Sequence, residues 1–386
     1  MFNSGITWGG WLLTSCAMAY ALFACAVMLG RLRHTRQSGD TVRYRPQGLP
    51  PVTIFKPLCG SEEETYECLR SFCDQTYPEF QVVFGVADSN DPVVEVVERL
   101  KREFPGRQLD LVADRRQHGT SRKVSNLVNM MAAARYDVFV ISDSDVRVQP
   151  DYLARVVAPL ADADVGIVTC PYRGVPRSGL WSLLGSQFIN EWFIPSVRVA
   201  AWGGDRSYTS GTTIAITRSV LLRIGGFMAI ANQLADDYRL GEFTRRLGLR
   251  TVLSDVVVDT CVAETSFLAL VRHELRWLRT IRAVKPLGYS FSFVTFGVPV
   301  AALGVVMTGG ALPTLGMLVV TGLARLMLHV LTRGRGSALL QFLILPMRDA
   351  LSVALWTWSF TTRRVHWRND HFEVDRDGSV LPVVEV

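Results

Sequence analysis

Two carboxylates one residue apart follow an apolar run at Ile141-Ser142-Asp143-Ser144-Asp145. Spaced this way they suit a hard divalent cation such as Mg2+ or Mn2+, which takes oxygen ligands and can bridge a diphosphate. A D-x-D pattern is weak by itself, and Asp162/Asp164 and Asp375/Asp377 repeat it. Only Asp143 and Asp145 come directly after a strand-like stretch, Val138-Phe139-Val140-Ile141, so the other two pairs are assigned to surface loops.

Other residues have chemistry of their own. Asp88, in Val86-Ala87-Asp88-Ser89-Asn90-Asp91-Pro92, stands where a carboxylate can accept a hydrogen bond from a nucleobase N–H. Asp91, just ahead of Pro92, reads first as a helix cap, with donor binding as a second role. Adjacent Asp236 and Asp237 repel each other, which can hold one at raised pKa, as a base that takes a proton from a hydroxyl requires. A helix N-terminus attracts such a pair too. His273, Arg276 and Trp277 share one helix face by i, i+3 and i+4 spacing. Arg276 can grip a diphosphate and Trp277 can wall an acceptor pocket, although an amphipathic membrane-surface helix has the same pattern. Lys56 and Lys123 follow strand ends in a chain with only four lysines, and either can meet phosphate.

The elements that position these residues alternate. Strands are expected at Val52 to Phe55, Phe80 to Ala87, Leu109 to Val112, Asp137 to Ser142 and Val165 to Cys170. Helices are expected from Ser61-Glu62-Glu63-Glu64, a capping box, to Phe72; from Asp91-Pro92 to Phe104; from Lys123 to Ala134; and from Asp151 to Leu160. The alternation implies βαβ units and an α/β domain with a mostly parallel, Rossmann-like sheet. Ligands bind such sheets at the carboxyl ends of the strands, just after Phe55, Ala87, Val112 and Ser142.

The chain of 386 residues is 49% hydrophobic, with a mean hydropathy of +0.21 and a net charge of +6. Met1 to Gly30 and Pro286 to Ala324 hold no charged residue, and each exceeds the roughly 20 residues that cross a bilayer. Arginines flank the apolar runs, at Arg31, Arg33, Arg36, Arg279, Arg282, Arg333, Arg363 and Arg364, in the positive-inside pattern. The basic charge therefore points to a bilayer and not to nucleic acid. Seven cysteines without any C-x-x-C read as reduced cytosolic thiols rather than a zinc or disulfide framework. No basic residue precedes the first apolar run, so it reads as a retained anchor and not a cleaved signal. Gly179 to Gly203, rich in Trp, suits either a core helix or an interfacial one. The expected organisation is an N-terminal transmembrane anchor at 1–36, a linker at 37–50, a cytoplasmic domain at 51–285, C-terminal membrane segments at 286–362 and a cytoplasmic tail at 363–386. Phe291 to Met307 and Ala311 to Leu331 are expected to form a membrane hairpin. Ala338 to Phe360, interrupted by Pro346, Arg348 and Asp349, is expected to re-enter or lie at the interface rather than cross.

Taken in order, Lys56 to Gly60, Asp88 to Pro92, Lys123 with Asn126, Ile141 to Val148, Ser210-Gly211-Thr212, Ala235 to Tyr238, Arg276-Trp277 and Val365 to Arg368 resemble family 2-type inverting glycosyltransferases of GT-A fold. The resemblance is strongest to ceramide glucosyltransferase and to bacterial relatives associated with hopanoid biosynthesis. It implies a UDP-sugar donor, a membrane-lipid acceptor and location in a bacterial inner membrane. It also implies donor binding at Asp88, metal and diphosphate contact at Asp143 and Asp145, and the base at Asp237. A Gln/Arg-x-x-Arg-Trp element falls on His273 to Trp277, with His273 standing where Gln or Arg is usual. In the hopanoid branch the sugar would be N-acetylglucosamine; in the ceramide branch, glucose. A processive polysaccharide synthase shares these elements but has more membrane spans. A non-catalytic membrane scaffold or transport component would not need them in this order.

Overall fold

A computed structural model of the chain describes residues 4–37, 48–333, 338–362, 364–367, 370–374 and 380–382. Most of the expected linker, half of the tail, Arg363, Arg368 and the Asp375/Asp377 pair lie outside the described residues. Two compact units are present: 40–172 with 205–261 and 378–386, and 1–39 with 173–204 and 262–377.

The strands of the α/β region are β1 (Val52–Pro57), β2 (Phe80–Val86), β3 (Gln108–Ala113), β4 (Val138–Ile141), β5 (Val146–Arg147), β6 (Val165–Thr169), β7 (Tyr172–Pro176, which leads into the other unit), β8 (Ile214–Thr217), β9 (Arg250–Leu253) and β10 (Val258–Val262), with β5, β10 and β7 in a small sheet of their own. Seven of them form one sheet in the order β3-β2-β1-β4-β8-β6-β9. β1 runs parallel to β2 and β4, β2 to β3, and β6 to β9. β8 is antiparallel to both β4 and β6, with Ile141 opposite Ile214. The start of β8 therefore meets the ends of β1, β2 and β4 at one edge. β1, β2, β4 and β6 are buried along their whole length and read as continuous apolar runs, as strands covered on both faces do. Phe55, Val83, Phe139, Ile141, Ile214 and Ile216 pack with Val124, Leu127 and Leu240 in one core.

One helix start differs from expectation. The capping box at Ser61 does not form: the helix is Thr65–Cys73, and the Thr65 hydroxyl instead accepts from the Glu62 N–H. At the next helix, Asp91 Oδ1 accepts from the Val93 N–H at 3.0 Å, the cap that Asp91-Pro92 implied.

The other unit is helical. Ser4–Gly30 and Leu312–Thr332 are each long and apolar enough to cross a membrane. The hairpin arm expected over Phe291 to Met307 is broken. Pro286–Thr295 and Gly297–Met307 meet at a 75° bend. Pro299 has no N–H to donate to the Thr295 carbonyl and its ring would clash there, so one helix cannot run through both. Gly297–Met307 packs tightly against the first helix. A Cβ on Gly304 would sit 2.6 Å from the Gly10 carbonyl, and a Cβ on Gly10 would sit 2.7 Å from that of Gly304. Small residues at such crossings are how apolar helices approach within a bilayer. Ala338–Leu343 and Leu345–Ser359 are separate helices, and the longer, at 15 residues, falls short of the ~30 Å hydrocarbon core. Arg348 and Asp349 are both paired within the protein. Gly179 to Gly203 folds as Gly179–Gln187, a π-helical turn and Ile194–Trp202, with Glu191 buried against Arg325 and His329.

Candidate active site

The parallel order of β1, β2 and β4 brings Lys56, Asp88 and Asp143 to one sheet edge, and antiparallel β8 returns Ser210-Gly211-Thr212 to it. Helix Asp236–Arg246 opens with the acid pair in its first turn, where its dipole favours negative charge.

These segments interlock at Gly211. Its carbonyl accepts from the Asp143 N–H at 3.1 Å, and its own N–H donates to Asp237 Oδ2 at 2.9 Å. Lys123 Nζ lies 2.6 Å from Asp143 Oδ1 and 3.7 Å from Asp236 Oδ2. Burial lowers the Lys123 pKa, but the carboxylates of Asp143, Asp236 and Asp237 outweigh it and raise the value. A Cβ on Gly211 would lie 2.8 Å from both Asp143 Oδ2 and Lys123 Nζ, so a side chain there would push both groups from their present positions.

Burial out of water, and then the neighbouring Asp236 charge, raise the Asp237 pKa to about 6, against the pull of Lys123 and of the Tyr238 and Gly211 N–H groups. That value lies in the range where a carboxylate works as a base near neutral pH.

Asp145 accepts from the Thr260 hydroxyl at 2.7 Å, and its carbonyl accepts from the Cys261 N–H. The β5–β10 pairing sets this contact. Burial, and then the Asp143 charge, raise the Asp145 pKa. Two carboxylates that repel each other supply hard oxygen donors suited to a divalent cation. Among the described residues no group of three or more His, Cys, Asp or Glu makes a metal centre. Phosphate oxygens and water would have to complete the coordination.

Lys56, expected to meet phosphate, is fully buried. Its ammonium donates to Ser142 Oγ at 3.3 Å and to the Asp143 carbonyl, and sits 3.8 Å above the Phe72 ring. Burial draws its pKa down to about 8. It supports the Asp143 loop from beneath.

Asp88 pairs with Arg115 at 2.7 Å, and this bond, then the Asn90 N–H, lower its pKa. Both side chains are exposed, so the pair is weak and Arg115 is easily displaced. Besides capping its helix, Asp91 accepts from the Gly60 N–H at 2.9 Å, which ties the loop after β1 to the loop after β2. Asn126 Nδ2 donates to the Gly85 carbonyl at 2.7 Å and secures the Arg122–Met130 helix on β2. Asp162 is in an exposed loop, bound by Arg250, as expected.

His273, Arg276 and Trp277 lie on helix Phe267–Val284 of the other unit. Two of them meet on one face: the His273 ring meets Trp277 edge-on at 4.7 Å. His273 Nδ1 is bonded to Glu264. Trp277 packs against Phe188 and Phe193.

Sequence reasoning missed Thr260, Glu264 and Arg115, which act on the singled-out residues from distant segments. It placed Ser210-Gly211-Thr212 only through resemblance, because a backbone N–H and carbonyl carry no side-chain signal.

Residues 15–380 match the profile of Glycosyl transferase family 21. Ceramide glucosyltransferase 1 of Caenorhabditis elegans is 23% identical over 281 residues, covering 71% of this chain and 58% of that protein. Ceramide glucosyltransferase of Komagataella phaffii is 37% identical over 119 residues, covering 30% of this chain and 23% of that protein. The match spans less than two thirds of the length of either relative. The mannosyltransferase from Pyrobaculum calidifontis, solved in complex with GDP-Man and Mn2+, superposes with a TM-score of 0.50 at 23% identity, covering 90% of this chain and 95% of that one.

Proposed function

The chain belongs to glycosyl transferase family 21, with a GT-A-like α/β fold, and on that premise we propose that it moves a hexose from a UDP-sugar to the hydroxyl of a membrane lipid, with inversion at the anomeric carbon. The observation that carries this reading is the Gly211 clamp, which fixes Asp237, at a pKa of about 6, to the backbone that also holds Asp143. One group suited to take a proton and one suited to the donor diphosphate are thereby held in register.

In this reading Asp88 takes the nucleobase once Arg115 swings aside, and Asp91 holds the loop beside it. Asp143 and Asp145 would hold a divalent cation, which would supply positive charge to offset that of the departing diphosphate. Lys123 balances the three acids around it, and Lys56 keeps the Asp143 loop in place. Asp237 accepts the proton of the lipid hydroxyl as its oxygen attacks the anomeric carbon opposite the nucleotide. The C–O bond to the diphosphate breaks with its electron pair leaving on the nucleotide, so an α-linked donor gives a β-linked product. The family resemblance gives Arg276 and His273 a diphosphate-contacting role and Trp277 an acceptor-contacting one, and these stay as roles to be tested.

The α/β unit is assigned to the cytoplasm, because the arginines at 31, 33 and 36 follow the Ser4–Gly30 span. The relatives are ceramide glucosyltransferases, which supports a sphingoid-type hydroxyl lipid; a hopanoid remains the second acceptor class to assay. The test uses purified full-length chain with UDP-glucose or UDP-N-acetylglucosamine and each lipid class, the product read by mass spectrometry and by NMR of the anomeric coupling. A β-linked glycolipid is expected. An α-linked product rules out inversion, and absence of any glycolipid rules out the acceptor class.

A further inference from the structure

The helical unit contains a cleft of about 750 Å³ between helices Gly297–Met307, Leu312–Thr332 and Leu345–Ser359. Its walls are apolar, with Val319 and Leu323 more than half exposed toward it. At its floor, Arg325 reaches both oxygens of Asp349, at 3.0 to 3.2 Å. Arg325 also bonds Glu191 at 2.7 Å behind it.

Three features point to a ligand. First, the volume is that of a small-molecule pocket. Second, an ion pair at the bottom of an apolar cleft between membrane-type helices is costly, and such groups mark functional sites. Glu191 is shared between Arg325 and His329, and among the described residues the Asp349 oxygens accept only from Arg325, so the floor retains capacity for a hydrogen-bond donor. Third, Gly322 lines the cleft in mid-helix, where glycine is unfavourable. A Cβ there would meet nothing within 4 Å, so the position opens onto the cleft and a larger side chain placed there would enter it.

We propose that this cleft seats the apolar body of a long-chain membrane lipid whose hydroxyl or amide N–H donates to Asp349. Identifying that lipid with the sugar acceptor rests on the function proposed above; the binding site itself does not. Bulk bilayer chains would fill apolar space equally well but would have no donor to offer at the floor.

Full-length protein in nanodiscs is labelled with a long-chain hydroxy-amide lipid bearing a diazirine in its hydrocarbon chain, and the adducts are mapped by mass spectrometry. Label is expected on 298–299, 319–326 and 345–354. It should fall about tenfold in Gly322→Phe, which fills the cleft from open space, and in Val319→Trp. Unlabelled hydroxy-amide lipid should compete and an alkane of equal length should not. Labelling spread over all lipid-facing helices, equal competition by the alkane, or undiminished label in both variants overturns the proposal. Sugar transfer to the same lipid is measured in parallel. Cleft labelling without transfer leaves the site standing and removes that lipid as acceptor. Transfer by Gly322→Phe at the wild-type KM for the lipid overturns the cleft as the acceptor seat.

Discussion

The Gly211 N–H donates to Asp237 Oδ2 at 2.9 Å, from the same peptide segment whose carbonyl holds the Asp143 backbone. A side chain at 211 would be driven into Asp143 Oδ2 and Lys123 Nζ, each 2.8 Å from the Cβ position. Gly211→Ala should therefore keep the fold while displacing both acids. Misplacement of about 1 Å can cost roughly 10²-fold in rate. A drop of that order in transfer, with thermal unfolding within a few degrees of wild type, is the expected outcome. Wild-type turnover in Gly211→Ala would mean the clamp is not needed.

Asp237→Asn should lose transfer by about 10²–10⁴-fold, the usual contribution of a positioned base, while donor affinity persists. Asp236→Asn should be milder. The sign of the stability change is set by linkage. The folded-state pKa of Asp237 is raised to about 6 from 3.8, so its protonated form favours the fold. That contribution is complete below pH 3.8 and is lost as pH rises through about 6. At pH 7.5 Asp237→Asn should then unfold at a temperature equal to or above wild type, although it is inactive. In wild type, kcat/KM should fall as pH drops below about 6. Single-turnover transfer and a thermal scan on the same preparations decide; a variant that is both active and less stable contradicts the assignment.

The raised pKa of Asp145 follows from burial and from Asp143 two residues before it. A divalent cation should relieve this repulsion. Mn2+ or Mg2+ is expected to raise the unfolding temperature and to tighten UDP-sugar binding at least several-fold, and Asp145→Asn should abolish both effects. Isothermal titration with and without chelator measures it. Equal donor affinity in the two conditions removes the cation from the mechanism.

The legible part of this fold was the part written in side-chain periodicity. Val52 to Phe55, Phe80 to Ala87 and Val138 to Ile141 are apolar runs bounded by turn residues, and each became a parallel strand within one or two residues of its expected ends. β8 was not foreseen. Ile214-Ala215-Ile216-Thr217 is only four residues long, follows no crossover helix, and enters antiparallel. Asp143, Asp145 and Asp237 were legible because carboxylates at strand and helix ends have few uses. Their partners were not. Thr260 is 115 residues from Asp145, and Gly211 acts through its backbone alone. Lys56 shows the opposite error. A lysine after a strand reads as phosphate-binding, but its position at a fully buried end of β1 points it inward.

The chain's Arg348-Asp349 dipeptide tests how the helical unit tolerates charge. Arg348 is bidentate on Glu274, at 2.6 and 2.8 Å, and also donates to the Leu184 carbonyl and to Ser352 Oγ. The two side chains are 2% and 4% exposed. Glu274 lies two residues before Arg276 on the same helix, so this bond anchors the segment that presents Arg276 and Trp277. Removing one member strands a buried charge, at a cost of about 3–5 kcal/mol, whereas replacing both with apolar residues of similar volume is often neutral. Arg348→Met should thus lower the unfolding temperature sharply in detergent, and the double variant Glu274→Leu/Arg348→Met should recover most of it. The deficit of the single variant should be insensitive to salt between 0.05 and 0.5 M (roughly 14 to 4 Å in Debye length), because a buried pair is little screened. Transfer activity should follow stability in both variants. If the double variant is as unstable as the single, the hydrogen bonds to Leu184 and Ser352 hold this helix and the pairing with Glu274 does not.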